Sequence, residues 1–233
     1  SRDFLEGPYG FYRLYEQGEY DAGPVVEKIG EHHTILDLSI KPYPCCRMTH
    51  SSIDAALRLR KRIGEPYENI TEVVVKASEM VTQMVGKPFV IGTNPQVDAQ
   101  FSIPYTVAVA LRQGTVFLDD FSPSAVCDEK RKSFAGRIRV EKDPALPAKD
   151  LFHSRMAVRT AGGGVYEEAV DVPLGNPSNP MNVEQCRSKF ERCLSQSDVH
   201  LSPDRVQSLL STIEHLETVD DVGILIQLMR SGD

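Results

Sequence analysis

Two prolines, Pro42 and Pro44, constrain this chain more than any other feature. They stand inside the run Lys41-Pro42-Tyr43-Pro44-Cys45-Cys46-Arg47-Met48-Thr49-His50. A proline has no backbone N–H to give to a sheet ladder. The alternating, β-branched run Thr34 to Ile40 reads as a short strand, which must therefore stop at or just past Lys41. Behind the prolines, Thr49 or Ser51 is placed to cap a helix in which Ile53, Ala56, Leu57 and Ile63 follow helical spacing. Lys41 is thus expected at a strand end and His50 in the opening turn of a helix. Side chains at such a seam are well placed to converge on a small anion.

The rest of the chain alternates helix and strand signals. Phe11, Tyr12, Leu14 and Tyr15 suit a short helix, with Tyr12 and Tyr15 on one face and expected in a core. The adjacent His32 and His33 cannot share a helix or strand face and read as loop residues rather than metal ligands. Ile70 to Lys76 alternates as a strand, with Ile70, Glu72 and Val74 on one side and Thr71, Val73 and Val75 on the other. Met80 to Val85 fits either a strand or a short helix. Gln96 to Arg112 is the strongest helical signal in the middle; Pro104 either kinks it or begins its second part, and Gly114 is a C-cap candidate. Ser122 or Ser124 is expected to cap a short helix through Phe134.

Arg137 to Glu141, Met156 to Thr160 and Val165 to Val170 read as strands, the last two joined as a hairpin by Ala161-Gly162-Gly163-Gly164. Because a strand and not a helix follows these glycines, they are not a phosphate loop. Pro173 to Pro180 breaks the composition and marks the best domain boundary. Beyond it Val183 to Leu194, Ser202 to Leu216 and Val219 to Met229 read as helices, with Ser202-Pro203 a start signal. Val222, Leu225, Ile226 and Met229 make the last helix apolar on one face, which wants a larger helical body to cover it.

Composition limits the partners. A chain of 233 residues with 41% hydrophobic residues can bury a sizeable core. Its net charge of -7, with both signs mixed, argues against nucleic acid or an anionic membrane surface as the main partner. No apolar run approaches the ~20 residues that cross a bilayer. The five cysteines form no Cys-x-x-Cys and supply no zinc cage, which favours a reduced intracellular protein. The cytoplasm is expected, or the mitochondrion in a eukaryote, because a chain starting at Ser1 leaves any targeting segment unseen.

Four groups are candidates for chemistry. Lys41 would bind a carboxylate as a point charge and steady the charge that builds there when a neighbouring carbon loses a proton. His50 is a candidate general base or fixed donor, supported by Asp54 one turn along the same face. Cys45 and Cys46 fit packing better than nucleophilic catalysis. Tyr105, on an apolar helix, is expected in the core with its hydroxyl satisfied.

The run from Lys41 to Cys46, with His50 and then Ile53-Asp54-Ala55, resembles the signature of the MmgE/PrpD family. That family includes 2-methylcitrate dehydratases, cis-aconitate decarboxylases and iminodisuccinate epimerases. Ala99 to Gly114, Gly175-Asn176-Pro177-Ser178-Asn179-Pro180-Met181 with Lys189-Phe190, Leu5-Glu6-Gly7 and Gly10-Phe11 agree with it in the family's order. The resemblance covers the later part of the family's chain, without the helical part that normally precedes it.

It implies an α+β fold: residues 1–30 connect from a helical domain, 31–172 form a small mixed lid with antiparallel strands, and 173–233 return to the helices. It also implies a cofactor-independent lyase, with no metal, that removes a proton beside a carboxylate of a di- or tricarboxylic acid. Hydro-lyase action of the 2-methylcitrate dehydratase type is expected first, epimerase or decarboxylase action second, and a non-catalytic carboxylate-binding module is the competing class. The partners implied are the carboxylic acid substrate, the upstream helical domain and a second copy in a homodimer. Met84 stands near the position of a tyrosine in the decarboxylase branch, and methionine has no proton to donate.

Overall fold

The computed structural model describes residues 3–21, 23–27, 29–31, 33–64 and 66–230. The chain divides into two units, residues 1–38 and 39–233. The first holds the helices α1 (Phe11–Tyr15) and α2 (Gly23–Val26) and a 3-10 turn over Thr34–Asp37. Its aromatic residues do not form the expected core: Tyr15 is 72% exposed, while Tyr12 stacks flat on Tyr20 with ring centroids 4.0 Å apart. His32 lies outside the described residues.

The strand expected over Thr34 to Ile40 is not formed. Leu36 N donates to the His33 carbonyl and Leu38 N to that of Ile35, closing tight turns. Strand propensity is realised only beside a ladder partner, and this segment pairs with none of the four strands. Lys41 therefore sits in an extended strap, not at a strand end.

The second unit is an α+β body built on one four-stranded mixed sheet, β1 (Ile70–Ala77), β2 (Ile138–Lys142), β3 (Ser154–Thr160) and β4 (Val165–Val170), in the order β2-β1-β3-β4. β1 runs parallel to β2 and antiparallel to β3, and β3 is antiparallel to β4. Parallel neighbours need a long crossover, supplied here by α4 (Glu79–Val85), α5 (Pro95–Gln100), α6 (Ile103–Gln113), α7 (Pro123–Val126) and α8 (Glu129–Ala135). The β3–β4 hairpin turns through the predicted glycines, with Gly163 at φ +83°, a conformation that favours glycine. In β1 a bulge between Ile70 and Glu72 moves Ile70 onto the buried face with Val73 and Val75, against the face that plain alternation assigns it.

Helix α3 (His50–Ile63) packs across β3 and β4 and against α6, so Ile53, Ala56 and Leu59 are fully buried. The middle signal splits at Phe101: Ser102 caps α6 by accepting from Tyr105 N at 3.2 Å, and Pro104 falls in its first turn, so the proline starts a second helix. Tyr105 is fully buried and its hydroxyl donates to the Asp120 carbonyl. The helix expected from Ser122 or Ser124 through Phe134 is two, capped by Ser122 and Asp128. Met80 to Val85 resolves as helix, capped by Ser78. The chain ends in α9 (Val183–Ser195), α10 (Pro203–Glu214) and α11 (Gly223–Met229), with Ser202 capping α10 and Pro203 in its first turn. Among the described residues no helix is long and apolar enough to cross a membrane.

The Ser102 cap predicts a modest, local cost. Ser102→Ala should lower unfolding stability by about 1 kcal/mol, read as a fall in the urea midpoint. An unchanged midpoint would show that the cap does not hold α6.

Candidate active site

Residues 39–46 form a strap across the start of α3, pinned by three sets of bonds. At one end Ile40 N donates to the Gly175 carbonyl at 2.8 Å. In the middle the Tyr43 hydroxyl donates to Asp54 Oδ1 at 2.6 Å. At the far end Cys46 N donates to the Gln100 carbonyl at 2.9 Å, and Gln100 Nε2 donates to the Pro44 carbonyl at 3.0 Å. Pro42 and Pro44 stiffen the strap further by fixing φ. Gly175 is required where the strap meets the 173–180 turn. Its φ is +83°, and a Cβ there would lie 2.0 Å from the Ile40 carbonyl oxygen.

Asp54 is the hub. It is only 6% exposed, yet each carboxylate oxygen has a donor: Tyr43 on Oδ1 and Leu174 N on Oδ2 at 2.7 Å. Burial, and then the Asp54 charge, push the Tyr43 phenol well above its ordinary range, so it serves as a donor only. The carboxylate thus ties together the strap, α3 and the turn after β4.

The pairing of Asp54 with His50 expected from their spacing is not made. His50 is fully buried, and its Nδ1 accepts from Arg47 Nη1 at 2.9 Å. A guanidinium only donates, so the ring proton sits on Nε2, which faces the Cys45 carbonyl at 3.5 Å. Arg47 Nη1 also donates to the Leu174 carbonyl at 2.9 Å. Burial first, then the Arg47 charge and, after it, that of Lys41, hold the imidazole down to about 3. His50 is a neutral, sealed ring packed edge-on to Tyr43 at 5.2 Å. Enclosed as it is, His50 holds Arg47 through Nδ1 and faces the strap through Nε2. The i,i+4 spacing brought Asp54 within range, but the Tyr43 hydroxyl and the Leu174 amide occupy its oxygens.

Lys41 lies on the strap between its pins at Ile40 and Tyr43. Its side chain is exposed, it has no hydrogen-bonding or ionic partner among the described residues, and its charge is felt at both His50 and Cys45. Cys45 is no nucleophile: burial pushes its thiol up to about 12, against the opposing bond to Thr49 and the Lys41 charge. All five cysteines are free thiols. Among the described residues no three His, Cys, Asp or Glu side chains stand together to hold a metal ion. Sequence reasoning missed the structural roles of Tyr43, Arg47 and the Leu174 backbone. The available signal was an acid, Asp54, set between Ile53, Ala55 and Ala56 on a buried helix face, where it must find donors.

His50 makes stability depend on pH. Between about 6.5, its ordinary value, and about 3, the unfolded chain takes up a proton that the folded chain refuses. This contribution is complete above pH 6.5 and is lost as the pH falls toward 3, with a slope of at most ~1.4 kcal/mol per pH unit. Unfolding free energies measured across that window should fall less steeply in His50→Gln than in the parent; parallel curves would contradict a neutral buried His50.

Comparison with known proteins agrees with the signature in the strap. The MmgE/PrpD C-terminal domain matches residues 43–217, well over half of the chain. Cis-aconitate decarboxylase of Mus musculus is 24% identical over 83% of this chain and 40% of its own length. The Homo sapiens enzyme of the same name is 24% identical over 97% of the chain and 46% of its own, and that of Aspergillus terreus 25% over 97% and 48%. The chain thus spans a little under half the length of these curated relatives. By the domain match and by the residues that build the strap, this chain belongs to the MmgE/PrpD family.

Proposed function

We propose that this chain is the lid-bearing part of a cofactor-independent lyase acting on a di- or tricarboxylic acid, with Lys41 receiving a substrate carboxylate. The observation that carries this reading is an exposed, unpartnered ammonium on a strap pinned on both sides of it. A charge-assisted contact of this kind contributes roughly 1.5–3 kcal/mol. It also stabilises negative charge that develops next to the carboxylate as a neighbouring carbon loses a proton. Asp54, Tyr43, Arg47 and His50 act behind it by fixing the strap.

The relatives' names favour decarboxylation of a tricarboxylate such as cis-aconitate. In that outcome the carbon–carboxylate bond breaks, carbon dioxide leaves, and the carbon keeps the electron pair until it takes a proton. One observation favours a hydro-lyase outcome of the 2-methylcitrate dehydratase type instead. Met84, 60% exposed, stands near the place of a tyrosine in the decarboxylase branch and offers no proton.

The same reading assigns residues 31–172 to the lid and 173–233 to a helical domain shared with an upstream half. In support, Val222, Ile226 and Met229 of the last segment are 47 to 61% exposed, an apolar face suited to that cover.

The test is turnover of cis-aconitate, citrate and 2-methylcitrate by this chain alone and by a protein complete with the helical half. The chain alone should be nearly inactive and the complete protein active on one of them. Lys41→Ala in the complete protein should lower kcat/KM at least about tenfold, equivalent to ~1.4 kcal/mol of transition-state binding. Carboxylate binding without turnover in either form would make this a binding module, and an unaltered kcat/KM would remove Lys41 from the site.

A further inference from the structure

Beside the strap lies a groove of about 440 Å³ between residues 42–43, the turn at Leu174 and the first turns of α9. Its apolar lining comes from Pro42, Tyr43, Phe117, Leu174 and Met181, and its cations are Lys189 and Arg192. Arg192 is held in place, its guanidinium 3.9 Å over the Phe117 ring and Nη2 donating to Thr115 Oγ1 at 3.2 Å. Lys189 is half-buried and has no hydrogen-bonding or ionic partner among the described residues. The one acid in the lining, Glu184, acts electrostatically on Arg187.

We propose that this groove takes the remote carboxylate of a polycarboxylic acid, with Lys189 as the residue that selects for it. The proposal rests on the assignment of Lys41 to the near carboxylate, and it adds what that assignment lacks, a second anchoring point. Lys41 is one Cα step, about 3.8 Å, from Pro42, which lines the groove. An apolar wall that starts next in the chain to Lys41, with Lys189 and Arg192 on the same groove, suits a carbon skeleton that bears more than one carboxylate. A small inorganic anion would use the charges and leave the apolar lining idle. The Asp54 clamp contributes here too, because both groups it holds, the Tyr43 side chain and the Leu174 backbone, belong to groove-lining residues.

The probes are propane-1,2,3-tricarboxylate, which cannot react by loss of water, and butyrate, which has a single carboxylate. Each is titrated into this chain and followed by amide NMR shifts. The tricarboxylate should shift the amides of Tyr43, Leu174 and Lys189. Lys189→Ala should weaken the tricarboxylate at least about tenfold, leave butyrate within about twofold, and be rescued by Lys189→Arg. Lys41→Ala should weaken both probes. The proposal is overturned if the tricarboxylate does not bind, if its shifts lie away from the groove, or if Lys189→Ala leaves its affinity unchanged while Lys41→Ala lowers it. That last pattern spares the role of Lys41; loss of effect at Lys41 instead removes the assignment on which the groove depends.

Discussion

The arrangement of this molecule's strap depends on a single buried carboxylate. Taking an ionised carboxylate out of water costs several kcal/mol unless hydrogen bonds replace its hydration. Asp54 meets that cost with two short bonds from groups far apart in sequence, a phenol eleven residues before it and an amide 120 residues after it. Neither donor alone satisfies both oxygens. The strap, α3 and the turn after β4 are thereby joined at one carboxylate, in addition to the strap's backbone bonds at Ile40 and Cys46, and Lys41 belongs to the piece they hold.

What the sequence made legible was local. Ser102 with Pro104, Ser202 with Pro203, and the glycines of the β3–β4 hairpin act through their own dihedrals and caps, and each does in the structure what its neighbours demand. Three of the misreadings are cases where a distant partner decides. Thr34 to Ile40 has the residues of a strand, but a strand exists only where a ladder receives it. Ile70 changes face because a bulge shifts the register against β3. Asp54 and His50 have the right spacing for a pair, yet the donors that win Asp54 come from the strap and from Leu174, which no helical periodicity reveals. The family signature marked the strap without saying which of its residues face solvent.

His50 shows how a residue in such a signature can hold its neighbours in place. Its neutrality leaves a lone pair for Arg47, and the same Arg47 nitrogen also reaches the Leu174 carbonyl. A protonated imidazole would face that guanidinium with a like charge and no acceptor. Burial therefore does more than hide the ring: it selects the protonation state in which the ring can hold an arginine. Arg47 in turn reinforces the junction that Asp54 makes from the other side of Leu174, through the carbonyl where Asp54 uses the amide.

An overall charge of -7 makes this local chemistry more telling. Long-range attraction does not draw an acidic ligand to a protein that repels anions on average. Under the proposed function, recognition comes from cations that act at short range. Lys189 lines the groove and Lys41 is next in the chain to Pro42, which lines it too, and neither lysine has a hydrogen-bonding or ionic partner among the described residues. The flexible stem of a lysine loses entropy on binding, but the bases from which these two project are already fixed, one by the Asp54 clamp and the other by a helix capped at Asn182. The ordering cost that a ligand meets is then confined to the side chains. With Lys41 and Lys189 in their proposed roles, that is the condition under which two modest contacts can discriminate between acids that differ in their number of carboxylates.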